Sequence, residues 1–123
     1  MTGVIGALYS FFSGFGIDCY AEDTINKAGA QPPYISVQLI VPVWEETVGF
    51  YARLWYRADD MEGINDKAEE IARAIGAGAC VPVEGGGVVW IYKDTTFAQH
   101  MTAADPALKC IYLRMKMQAI TEV

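Results

Sequence analysis

The sequence predicts an α+β domain, with elements in the order α-β-β-α-β-β and a mainly antiparallel four-stranded sheet carrying its helices on one face. Three observations lead there. Residues 34–44, 48–57 and 108–121 alternate apolar and polar side chains with the period of half-buried strands. Residues 64–75 instead repeat apolar side chains at helical spacing. Strands also follow strands without strict β-α alternation, which favours antiparallel pairing.

The first helix is expected over 4–12, where Ile5, Leu8, Phe12 and Phe15 recur at helix-like spacing and Ser13-Gly14 with Gly16 stop it. Residues 19–33, with Gly29 and Pro32-Pro33, read as a connecting loop that enters the next element extended. In the first strand, 34–44, Ile35, Val37, Leu39, Val41 and Val43 form the aliphatic row, Ser36 and Gln38 the polar one, and Pro42 marks an edge or bulge. Glu45-Glu46-Thr47 turns the chain. Val48, Phe50, Ala52, Leu54 and Tyr56 resume the alternation, so the two strands read as an antiparallel hairpin.

Asp59-Asp60 offer an N-cap and Glu62 a first-turn acid, both suited to the positive end of a helix. Ile64, Ala68, Ile71, Ala72 and Ile75 make one apolar stripe, ended by Gly76 and Gly78. A short strand over 81–83, a turn at Glu84-Gly85-Gly86-Gly87, a strand over 88–93 and a loop over 95–106 follow. The closing strand, 108–121, has Ile111, Leu113, Met115, Met117 and Ala119 on one face and Tyr112, Arg114, Lys116 and Gln118 on the other.

A chain of 123 residues fits one domain, 1–123, able to bury roughly two-thirds of its unfolded surface. With 15 acidic against 9 basic residues, a net charge of −6 disfavours nucleic-acid binding by phosphate neutralisation. Three widely spaced cysteines, Cys19, Cys80 and Cys110, suit a reducing cytoplasm better than a disulfide framework. Residues 4–15 are apolar enough to imitate a signal-peptide core. However, no Lys or Arg precedes Lys27, and the stretch is too short and too rich in Gly and Ser for a membrane span, so no membrane partner is expected.

Chemistry-bearing patterns are sparse. His100 is the single histidine, and neither a C-x-x-C pair nor a G-x-S-x-G elbow occurs. Gly85 to Gly87 opens a strand, whereas a phosphate loop opens a helix. The acids between Asp59 and Glu70 lack the calcium-loop spacing, and Asp66, Glu69 and Glu70 fall on the polar side of a helix. No catalytic residue, cofactor or metal is expected; an enzyme would need a pocket drawing His100, Cys110 and Tyr112 together.

With the aliphatic rows assigned to the core, the other sheet face carries Tyr51, Arg53, Trp55 and Arg57 on one strand and Tyr112, Arg114 and Lys116 on another. Such residues bury large areas while keeping a polar handle, which protein interfaces favour. The acids Asp66, Glu69 and Glu70 sit on the helix elsewhere. A bipolar chain of this kind permits head-to-tail contacts between copies, and such contacts close into rings when the rotation allows. These residues are the candidate subunit interface.

The layout resembles the tail-terminator or tail-completion proteins, minor tail or capsid proteins, of long-tailed bacteriophages and prophages. The resemblance covers most of the chain. It rests on the N-terminal apolar helix, the loop ending in Pro33-Tyr34-Ile35, the Tyr51-Ala52-Arg53-Leu54-Trp55 strand and the 64–75 helix. It continues through the Gly-rich turn into Val89-Trp90-Ile91-Tyr92-Lys93 and the long strand after Asp105. The resemblance implies a structural protein that assembles, commonly as six copies, into a ring capping the tail tube and receiving the head connector. Its partners would be further copies of itself, the tail tube and the head connector. It would be found in the host cytoplasm during assembly and then in the virion tail or neck. It implies no catalysis and no active-site position.

Overall fold

The computed structural model describes residues 3–24, 29–40 and 44–120. It contains a six-stranded mixed sheet, curled into a half-barrel, where the sequence predicted a four-stranded antiparallel one in α-β-β-α-β-β order. The elements are α1 (Gly3–Ser13), β1 (Asp18–Ala21), a 3-10 turn (Glu22–Thr24), β2 (Tyr34–Val37), β3 (Thr47–Arg57), α2 (Glu62–Ile75), β4 (Ala79–Pro82), β5 (Val88–Met101) and β6 (Leu108–Ile120). Across the sheet they run β1-β2-β3-β6-β5-β4. The β1–β2 pair is parallel and all other neighbouring pairs are antiparallel.

Two segments expected as loops are strands. Asp18–Ala21 pairs in parallel with Tyr34–Val37, through partners such as Cys19↔Ile35. Four residues are too few to show a period, and a parallel partner is reached only after the intervening chain has crossed back. The 95–106 loop is likewise partly strand. β5 breaks register between Lys93 and Ala98 and then pairs again, from Ala98↔Leu113 to Met101↔Cys110. The first half of β6 lies between β3 and this stretch, and its backbone groups on that side require partners whatever the local side-chain preference.

The first expected strand is shorter than 34–44. β2 ends at Val37, after which the Gln38 N–H still donates to Tyr51 O at 3.0 Å. Positions 41–43, with the edge or bulge expected at Pro42, lie outside the described residues. β2 is also buried on both faces, Ser36 included, where alternation had suggested a half-buried strand. It is an interior strand flanked by β1 and β3, so Ser36 stands in register between Tyr20 and Arg53.

α2 covers the expected span, but its N-cap position is Met61 and no side chain caps there. Asp60 acts one step earlier, its Oδ1 accepting the Glu62 N–H at 3.0 Å. At the other end Gly76 adopts φ 55°, a conformation that favours glycine, and its N–H bonds Ala72 O. The β4–β5 hairpin closes through Val83 N–H to Gly87 O at 3.0 Å. Gly87 is required there, since a Cβ would lie 2.6 Å from Ile120 O.

Both helices pack on the same face of the sheet, and one core joins Leu8 and Phe12 of α1 and Ile64, Ile71 and Ile75 of α2 to Leu54, Ile91, Ile111, Leu113, Met115 and Met117. All of these are essentially inaccessible to solvent. Each contributes about 1.5–3 kcal/mol of burial free energy. The core thus fixes which face of β3 and β6 is left outward.

Candidate subunit interface

The outward face is the complementary row of those strands. Pairing of Tyr51↔Arg114, Arg53↔Tyr112 and Trp55↔Cys110 brings the predicted residues of β3 and β6 side by side, with Arg57 opposite Leu108 and Lys116 opposite Gly49. Tyr51 and Tyr112 stack at 5.0 Å between ring centroids, and the Arg53 guanidinium lies over both rings at 5.1 and 5.9 Å. Cation–π attraction and the flat stack hold these three side chains in one arrangement.

Neighbouring strands extend the patch with residues that the sequence reading missed. Tyr34 of β2 stacks on Trp55 at 6.4 Å, and Tyr20 of β1 meets Tyr34 edge-on at 5.6 Å. On the far side Trp90 and Tyr92 of β5 stack at 6.3 Å. The sequence signal for Trp90 and Tyr92 was their period-two spacing. Tyr20 carried no such signal, because β1 was not visible as a strand.

Two of the four cations on this face are neutralised within the chain. Arg53 Nη1 reaches Glu22 Oε1 at 2.7 Å, and Arg57 Nη1 reaches Asp105 Oδ2 at 2.8 Å. The first bond leaves Glu22 Oε2 and nearby Ser36 Oγ buried with no hydrogen-bond partner among the described residues. The Arg57 bond, with the Ala107 N–H, holds the Asp105 carboxyl below the usual aspartate range. Arg114 and Lys116 are exposed and form no ion pair among the described residues, so they carry the free positive charge of the patch.

The acids occupy the opposite side of the domain. The α2 stripe Ile64, Ala68, Ile71 and Ile75 faces the sheet, which leaves Asp66, Glu69 and Glu70 exposed. Glu70 bonds Lys67 at 2.9 Å, and Lys67 also donates to Phe15 O at 2.6 Å. Glu69 and Arg73 are 3.9 Å apart and both largely exposed. One copy therefore cannot bring its own α2 acids onto its own Arg114 and Lys116.

The residues named for an enzyme reading do not converge. His100 is in register with the core residue Ile111 and its Nε2 lies 3.0 Å from Asn65 Oδ1, whereas Cys110 and Tyr112 belong to the outward row. Burial pushes the Cys19 and Cys110 thiols up to about 11, so both remain protonated and poorly nucleophilic near neutral pH. Among the described residues no group of three His, Cys, Asp or Glu side chains is placed to hold a metal ion, and no helix is long and apolar enough to cross a membrane. A cleft of about 610 Å³ lies beside the face, lined by Ile5, Glu22, Asp23, Leu39, Ile40 and Tyr51 among others.

No protein-family model and no curated protein matches the sequence. The fold is shared with a virion chain. A chain of the native virion of a gene transfer agent particle matches with a TM-score of 0.63 at 15% sequence identity, covering 95% of this chain and 94% of that one. At that identity the likeness is one of fold, and it covers nearly the whole chain rather than a single motif.

Proposed function

We propose that this protein is a structural component of a phage-like virion, and that within it the chain forms a ring, of six copies, which caps the tail tube and joins it to the head connector. The observation that carries the reading is the end-to-end fold likeness to a gene transfer agent virion chain. The ring is supported by the two charged surfaces on opposite sides of one domain, because a heterologous contact places Asp66, Glu69 and Glu70 of one copy against Arg114 and Lys116 of the next. Tyr51, Arg53, Trp55, Arg57 and Tyr112 supply the rest of that contact.

On this reading the partners are further copies, the tail tube and the head connector. The protein binds neither nucleic acid nor membrane and catalyses nothing. A net charge of −6 suits the role, since a protein surrounding passing DNA should not grip its phosphates. The chain works in the host cytoplasm during assembly and ends in the virion tail or neck.

Deleting the gene from its phage or prophage tests this. The expected result is tails of uncontrolled length that fail to join heads, restored by supplying the protein. Tails of normal length on complete particles would overturn the reading. Electron microscopy of purified tail tubes mixed with the protein should show a ring at one tube end.

A further inference from the structure

β5 is much longer than the strand beside it. β4 pairs only with Val88–Ile91, while Ala98–Met101 of β5 pairs with β6 on one side alone. Among the described residues, no backbone group bonds Ala98–Met101 on its other side. A strand edge of this kind presents unpaired N–H and C=O groups and is a template for a further strand. Open edges are ordinarily blunted by proline, charge or a bulge within them. Here the irregularity falls before the edge, between Lys93 and Ala98, and the edge itself reads Ala98-Gln99-His100-Met101, with Met101 47% exposed.

Beside the edge runs one flank of α2. Asn65, Ala68, Glu69 and Ala72 face Phe97, Ala98, His100 and Ile111 across a groove of about 250 Å³. The alanines leave the room, Phe97 and Ile111 make an apolar lining, and the His100–Asn65 contact ties the edge strand to the helix. The rim is acidic. Glu69 is exposed with only a 3.9 Å contact to an equally exposed Arg73, and Asp66 lies on the same helix.

We infer that this groove takes an extended segment of a partner protein as a strand added to β5. Backbone pairing with Ala98–Met101 supplies the affinity, and every second side chain of the segment faces the groove, apolar ones against Phe97 and Ile111 and a basic one between them against Glu69. The acidic rim selects a basic segment over an acidic one. The inference concerns the isolated subunit, because the proposed ring sets Glu69 against Arg114 and Lys116 of the next copy.

The test uses two blocked peptides on the full chain, acetyl-Thr-Val-Thr-Lys-Thr-Val-Thr-amide, whose Val and Lys side chains share one face of a strand, and its counterpart with Glu for Lys. Amide hydrogen exchange is read by NMR. The lysine peptide should slow exchange at Ala98–Met101 about tenfold and bind about tenfold more tightly than the glutamate peptide. Ala72→Trp, which fills the groove, should abolish the protection. Glu69→Lys, an exposed change that leaves the fold intact, should reverse the preference between the peptides. No protection at these amides with either peptide at millimolar concentration would overturn the proposal. So would a preference unmoved by Glu69→Lys, or protection that rises with protein concentration in the absence of peptide, which would assign the edge to a second copy.

Discussion

The two faces of the β3–β6 pair share one backbone and follow opposite rules. Inward, Ala52, Leu54, Ile111, Leu113, Met115 and Met117 are sealed from solvent by two helices. Outward, Tyr51, Arg53, Trp55 and Tyr112 remain partly exposed, and they are held by ring stacking and ion pairs rather than by a covering layer. The inner face secures the fold. The outer face is ordered by contacts within one chain and stays partly open to solvent.

The largest effect should come from the inner face. Leu113→Ala is expected to cost about 2–5 kcal/mol in urea denaturation, through lost burial and a cavity that the curled sheet cannot fully collapse. Tyr112→Ala, one residue along, should cost clearly less. Equal losses would mean that the outer face is a second core, and the contrast would fail.

Next is Arg53→Ala, expected to cost about 1–3 kcal/mol because Glu22 is left partly buried with neither oxygen paired. Adding Glu22→Gln should recover part of the loss, and a double-mutant cycle measures how much. The cycle shows whether the outer face is ordered by this pair or by the stacked rings.

The alkaline limb gives a third check. Cys19 and Cys110 ionise near 11 in the folded chain but at about 8.5 when unfolded, so stability is full below the unfolded value and falls as pH rises toward the folded one. Thermal melting between those pH values should show the decline, and Cys110→Ala should make it shallower, leaving the part due to Cys19.

Arg114→Ala with Lys116→Ala should change monomer stability by only about 0.5 kcal/mol. It should nevertheless weaken self-association in sedimentation, as should Asp66→Lys with Glu70→Lys. Combining the two pairs tests whether they face each other. The smallest effect belongs to Asp105, whose depressed carboxyl contributes stability above the ordinary aspartate range and loses it as pH falls through the folded value. Asp105→Asn should trim only the acid limb of a stability profile.

The sequence by itself determined the inner rows of β3 and β6, the apolar stripe of α2 and the glycine turn before β5. Each rests on a local cause: a strand period of two, a helical period of 3.6, or a backbone conformation that glycine alone adopts easily. It also placed Tyr51, Arg53, Trp55, Tyr112, Arg114 and Lys116 on one face, because alternation leaves them no other.

Only the tertiary structure decided the rest. β1 and Ala98–Met101 are strands because distant backbone offers them partners, not because their side chains alternate legibly. The charge of the outer face was decided in the same way. Arg53 is neutralised by Glu22 across 31 positions and Arg57 by Asp105 across 48, and no reading confined to one strand finds either acid. Hydrophobic period is written along the chain, whereas pairing partners and salt bridges are set by which segments the fold brings together.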